Sequence, residues 1–299
     1  MSQPDRLVSC GGVVNTITPT DAVQFCTELV RKADKDRYLA SLFAPDDKRA
    51  HLMALYAFSI EVARVREITT ETMTGEIRLQ WWRDTIEHIY AGSVPDHPVA
   101  LALSAAIEAG NLSKSGFLNL IDARVFDLYD DVMPSVDALE GYLGETSSSV
   151  IQMAALILAG PAGETAADAA GHAGVAYGMT GLMRALPIHR ARGQCFIPLD
   201  VLTRCDLTGA DILSGKQTTS VRLALREMRQ LAAGHLVEAR AHSAVMPGAA
   251  LPAFLPASLV GIYLKRLERM GPSTLRKVAE VQQIRRQWRL LMAALRHKF

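Results

Sequence analysis

Two stretches of this 299-residue chain hold the side chains best suited to chemistry. The first is Tyr56-Ala-Phe-Ser-Ile-Glu61-Val-Ala63-Arg64-Val-Arg66-Glu67, where carboxylates and guanidiniums are set among apolar residues at helical spacing. The second runs from Ala176 to Pro198 and contains Arg184-Ala185-Leu-Pro187-Ile-His189-Arg190-Ala-Arg192-Gly193. In it a helix meets a proline, an Arg-Gly turn follows, and an apolar-Pro step closes the segment. Glu61 and Glu67 are separated by more than one turn and by about 120° around a helix, so they point in different directions. Glu61 is expected to pair with a neighbour on its own face. The basic set of Arg64, Arg66, Arg184, His189, Arg190 and Arg192 has two readings. Guanidinium forks can hold a diphosphate or another anion without metal. Alternatively the arginines pair with internal acids, and Arg192-Gly193 only turns the chain.

Helices must position these residues, and helical period is present in nearly every ordered-looking segment. Thr20 is read as the cap of a helix with Ala22, Cys26, Leu29, Val30 and Ala33 on one stripe. Pro45 opens a long helix expected over 46–67, and another is expected over 74–90, ending at Ala91-Gly92. Further helices are expected from near Pro98, Ser113, Ser135, Thr165, Ser220, Ala249 and Ser273. Alternating strands, hairpin turns, glycine-rich phosphate loops and solenoid repeats are not found in the sequence. The expectation is one all-α domain of roughly ten helices over 19–299, preceded by a flexible segment at 1–18. Trp81 and Trp82 either pack a core or line an apolar cavity. Asp122, Asp127, Asp130 and Asp131 read as a solvated helix end. The last helix, expected over 275–299, is basic and amphipathic, suited to an anionic membrane surface, to a partner, or to covering the core.

Composition narrows the class. The chain is 49% hydrophobic and 21% charged, as folded proteins are, and its formal charge of +1 gives no global field for nucleic acid. The four cysteines have no metal-binding or disulfide-framework spacing, which points to free thiols in a reducing compartment. The N-terminus lacks a secretory pattern, and the longest apolar stretch, 150–159, is too short to span a bilayer. A soluble, cytoplasmic chain is expected.

The first stretch, with Tyr38-Leu-Ala-Ser-Leu-Phe43 and Lys48-Arg49 upstream and Leu79-Gln-Trp-Trp-Arg83 and His97-Pro98-Val99-Ala100 downstream, resembles the squalene/phytoene synthase family. The resemblance implies an isoprenoid synthase-like helical bundle around a central cavity. It also implies a prenyl condensation in which two aspartate-rich motifs hold magnesium against a departing diphosphate. Magnesium needs converging oxygen ligands. The positions matching the first motif are Ala63, Arg64 and Glu67. In the second, Arg184 is kept while the acids are replaced by Ala185 and His189. No metal site and no catalytic residue is therefore assigned. The residual pocket or anion-binding candidates are Tyr56, Glu61, Arg64, Glu67, Trp82, Arg184, His189 and Arg192.

The strings 58–67, 76–82 and 181–189 are more similar still to the aspartate-less branch of the family, which helps to build respiratory complex I (NADH:quinone oxidoreductase). That resemblance implies a pseudoenzyme whose partners are complex I subunits or assembly intermediates. It implies an isoprenoid or quinone-like ligand and work at a membrane surface, for which the basic amphipathic pattern of 275–299 offers the contact. The protein would then be peripheral at the inner membrane, on the matrix side in a eukaryote. The alternative is a prenyl transferase that uses magnesium in an altered site.

Overall fold

The structure, a computed structural model, describes residues 17–69 and 71–299. Among them there is no strand beyond an isolated bridge between Val132 and Cys195. The helices are α1 (Pro19–Ala33), α2 (Lys35–Ser41), α3 (Asp46–Ala63), α4 (Val65–Ile68), α5 (Thr72–Tyr90) and α6 (Pro98–Gly110). They continue with α7 (Lys114–Ala123), α8 (Val136–Leu143), α9 (Ser149–Ala159), α10 (Ala167–Arg184), α11 (Leu186–Ala191) and α12 (Leu199–Arg204). The series ends with α13 (Gly209–Ser214), α14 (Thr219–Ala241), α15 (Leu251–Phe254), α16 (Val260–Met270) and α17 (Gln283–Leu295). Prolines and glycines cut the chain into more and shorter pieces than the ten or so helices expected. The fold is an all-α bundle, as expected.

α3 is the central element. Every residue from Leu52 to Ser59 is buried, because α1, α6 and α9 all pack on it. Its aromatic centre is Phe58, edge-on to Trp82 and to Phe117 with centroids 5.3 Å apart in each case. α10 runs along α14, and its Met179 and Met183 join Leu139, Phe196, Val201 and Leu225 in a second apolar cluster. Gly174 allows the closest approach in this layer: a Cβ there would lie 2.3 Å from Ser148 Cα. The apolar stretches 136–184 and 248–275 are each divided into several helices, and much of their surface faces this core.

Three boundaries differ from the expectations. Thr18, not Thr20, caps α1, accepting the Asp21 N–H at 3.2 Å, because Pro19 occupies the first helical turn. Of the flexible segment expected at 1–18, only Ile17 and Thr18 fall within the described residues; Ile17 packs on the core. The helix expected over 46–67 breaks at Arg64, whose ψ of 0° ends α3 and lets α4 start in a new direction. The helix expected over 275–299 is formed only as Gln283–Leu295. Its intended first turns give their carbonyls to arginines instead: Leu275 O accepts Arg190 Nε at 3.0 Å, and Ala279 O accepts Arg184 Nε at 3.4 Å.

Candidate functional site

The break at Arg64 turns Glu67 and Arg66 toward the α10–α11 junction, where Pro187 starts a new helix carrying His189 and leading to Arg192. Between them lies a cleft of about 170 Å³, lined by Ala63, Arg66 and Glu67 on one side and by His189, Arg192 and Phe196 on another. Its base is a closed triangle. The Arg124 guanidinium donates to Asp127 at 2.9 Å and to the Tyr142 hydroxyl at 2.7 Å, and that hydroxyl donates to Asp127 at 2.8 Å. Gln194 ties the triangle down through the Asp127 carbonyl at 2.8 Å.

Charges around the cleft are matched in pairs. Arg192 reaches Glu67 at 3.1 Å, and Arg66 reaches Asp130 at 3.2 Å. His189 lies edge-on to Phe196, with centroids 4.7 Å apart, and its buried Nδ1 has no hydrogen-bond partner among the described residues. Burial holds its pKa below the ordinary imidazole value; Asp127 opposes this and Arg192 adds to it. The shift favours the neutral ring.

The other sequence candidates lie elsewhere. Arg64 folds back to Glu61 at 2.8 Å, an i,i+3 pair whose acid is buried. Burial pushes the Glu61 carboxyl up, against the pull of Arg64 and Arg78. Tyr56 is in the core beneath the Arg37 guanidinium, 5.2 Å from its ring centroid. Trp82 is buried, whereas Trp81 is 40% exposed. Arg184 leaves the cleft for a buried cluster: it lies over the Tyr263 ring at 3.7 Å and 3.8 Å from Asp36. Asp36 also accepts from Tyr263 at 2.7 Å and Arg286 at 2.9 Å. The cleft thus brings together Glu67, His189 and Arg192, and does not include Tyr56, Glu61, Arg64, Trp82 or Arg184.

The profile of the squalene/phytoene synthase family matches residues 30–291, nearly the whole described chain. The chain belongs to the squalene/phytoene synthase family. Among its relatives, "NADH dehydrogenase (ubiquinone) complex I, assembly factor 6" of Rattus norvegicus is 35% identical over 84% of this chain and 75% of its own length. The Homo sapiens protein of that name is 34% identical over 82% of this chain and 74% of its own. Among solved structures, a dehydrosqualene synthase in complex with ligand superposes with a TM-score of 0.80, over 93% of this chain and 97% of its own. Its identity of 19% makes this a likeness of fold.

A squalene/phytoene synthase that ionises diphosphates would need magnesium in such a cleft, and the donor set here does not fit that ion. Glu67 is held by Arg192, and Asp127 is spent on Arg124 and Tyr142. Neutral imidazole is a poor magnesium ligand. Among the described residues no group of three or more His, Cys, Asp or Glu converges as a metal site. The guanidiniums of Arg66, Arg124 and Arg192 surround the space instead.

Sequence reasoning missed the residues that build this site from below. Asp127, read as solvated, is only 7% exposed. Arg124, three residues before it, was the available signal. Asp36 carried no such signal, because its partners Arg184, Tyr263 and Arg286 are distant in sequence.

Proposed function

We propose that this chain is a non-catalytic squalene/phytoene synthase-like protein that assists the assembly of respiratory complex I. The observation that carries the reading is its 34–35% identity, over more than four-fifths of the chain, to proteins named complex I assembly factor 6. The cleft supports it physically. Removing one preorganised charge donor from an active site costs about 3–4 kcal/mol of barrier. Here the positions matching the magnesium motifs hold Ala63, Arg64, Ala185 and His189, and the remaining acid, Glu67, is paired with Arg192. The partners in this reading are complex I subunits or assembly intermediates. The ligand is isoprenoid- or quinone-like. At about 170 Å³ the cleft is smaller than the ~300 Å³ of common small-molecule sites, so it would take the head of such a molecule and not its chain. The protein works in the cytoplasm at the inner membrane, or on the matrix side in a eukaryote.

Deletion of the gene tests the reading. The expected result is loss of assembled complex I on native gels and of NADH oxidation by membranes, restored by the wild-type chain and equally by Glu67→Ala. Normal complex I in the deletion strain would overturn it. The transferase alternative is tested with purified protein, magnesium, and farnesyl or geranylgeranyl diphosphate. Turnover that disappears in Glu67→Ala would make the chain an enzyme.

A further inference from the structure

The face formed by α16 and α17 is unlike the rest of the surface. Residues 260–299 carry ten Lys and Arg against two Asp and Glu, in a chain whose formal charge is +1. Positive charge is therefore concentrated at this end and is offset by acid elsewhere. Between the two helices runs a groove of about 990 Å³, lined by Lys265, Arg266 and Arg269 from α16, by Arg285 from α17 and by Arg296 just past its end. Among the described residues none of these five makes an ion pair, and Glu280 is the only acid lining the groove.

α17 is also turned in an unusual way. Its buried edge is narrow, consisting of Leu290 and Ala293. Arg286 pins that side through Asp36 at 2.9 Å, and Arg289 through the Ser258 carbonyl at 3.1 Å. At 100° per residue, Ile284, Trp288, Leu291 and Leu295 fall within about 60° of each other on the opposite side, facing outward. They are 70%, 63%, 38% and 66% exposed. The apolar ridge continues past Leu295 to Phe43, which shares a second groove with it and is 40% exposed. A helix that only covered a core would place these side chains inward. One that presents an apolar ridge flanked by unpaired cations has the pattern of a helix lying in a membrane interface.

We infer that the α16–α17 face docks on an anionic phospholipid bilayer, with Ile284, Trp288, Leu291 and Leu295 entering the headgroup–acyl boundary and the groove cations meeting lipid phosphates. A bilayer supplies apolar depth and spread negative charge together, and this face needs both. The inference stands on the surface alone and does not depend on the assembly reading: lipid binding is measured with purified protein, assembly in the deletion strain.

The test is co-sedimentation with phosphatidylcholine vesicles, with and without phosphatidylglycerol, alongside intrinsic fluorescence. Binding is expected only to the anionic vesicles and to weaken with salt. A blue shift is expected on binding, absent in Trp288→Phe, since Trp82 is buried and Trp81 lies on α5. Each basic side chain near an anionic surface strengthens binding roughly five-fold, so Lys265→Gln/Arg266→Gln/Arg269→Gln should weaken it on the order of a hundred-fold. All three residues are exposed, so the variant's melting curve should match the wild type's. Equal binding to neutral vesicles, unchanged affinity in the triple variant, or a blue shift persisting in Trp288→Phe would each overturn the inference. A Trp288 shift that grows with protein concentration in the absence of lipid would instead assign the face to a second copy of the chain. Binding to soluble polyglutamate as tight as to vesicles would assign it to an acidic protein partner.

Discussion

Replacing Asp127 by Asn removes one charge from the triangle under the cleft and changes almost nothing in shape. The Tyr142 hydroxyl keeps an acceptor, but Arg124 loses its only ion-pair partner among the described residues. The two side chains are 18% and 10% exposed, too little for water to replace the lost charge. Breaking a buried ion pair from one side costs roughly 3–5 kcal/mol. The unfolding entropy of a chain this long, at about 2.1 cal/mol/K per residue, is roughly 0.6 kcal/mol per degree. Asp127→Asn should therefore lower Tm by about 5–8 °C, read by circular dichroism or calorimetry at neutral pH. The charge-free pair Arg124→Met/Asp127→Leu should regain much of that loss, because no buried charge is then left unpaired. A drop under about 2 °C, the size expected of an exposed pair, would refute the reasoning. So would a double variant that melts below the single one.

Two further outcomes follow from the packing and the titration. Gly174→Ala should lower Tm by roughly 2–5 °C, since its Cβ would meet Ser148 backbone and force the helix away, an overpacking cost of about 1–3 kcal/mol. Gly171→Ala, with open space at the same helix face one turn earlier, is the control and should not be destabilised. For His189, burial puts the folded pKa below the unfolded value of about 6.5. The unfolded chain then binds a proton that the folded chain resists, so stability is lost as pH falls below about 6.5. The fall of Tm on acidification should be shallower in His189→Asn than in the wild type; equal slopes would show that His189 is not the group responsible. His51, His97 and His172 are shifted in the same direction by burial and contribute to the slope that remains.

The helical class was legible because it rests on local signals. Pro98 begins α6, Ser135 caps α8 and Gly92 follows the end of α5 at a φ of 81°, as their residue types require. What period alone could not resolve was competition for backbone groups. Nothing in the sequence around Leu275 and Ala279 shows that their carbonyls will be taken by Arg190 and Arg184 from another helix, so the final helix looked longer than it is. The site divides in the same way. Glu67, His189 and Arg192 were reached through motif strings more than a hundred residues apart, and the fold brings those strings to one cleft. Arg184 belonged to the same string but lies in the Asp36 cluster, because the direction of a long side chain depends on partners that spacing does not reveal.

The cleft and the outer face show opposite treatments of positive charge. In and around the cleft, Arg64 is answered by Glu61, Arg66 by Asp130, Arg124 by Asp127 and Arg192 by Glu67, and in the buried cluster beyond it Arg184 is answered by Asp36. A guanidinium already satisfied by a carboxylate has little left to offer a departing diphosphate, and a carboxylate already satisfied by a guanidinium has little left for magnesium. These pairs between the two motif segments and their neighbours tie the bundle together across its helices, and they are the physical ground for the non-catalytic reading proposed above. In the groove between α16 and α17, Lys265, Arg266, Arg269, Arg285 and Arg296 have no acid partner among the described residues and stand beside exposed apolar side chains, whose exposure gives nothing to the fold. Unpaired charge and exposed apolar surface are the two quantities available for binding outside the molecule, and in this chain the α16–α17 face offers both where the cleft offers paired charge.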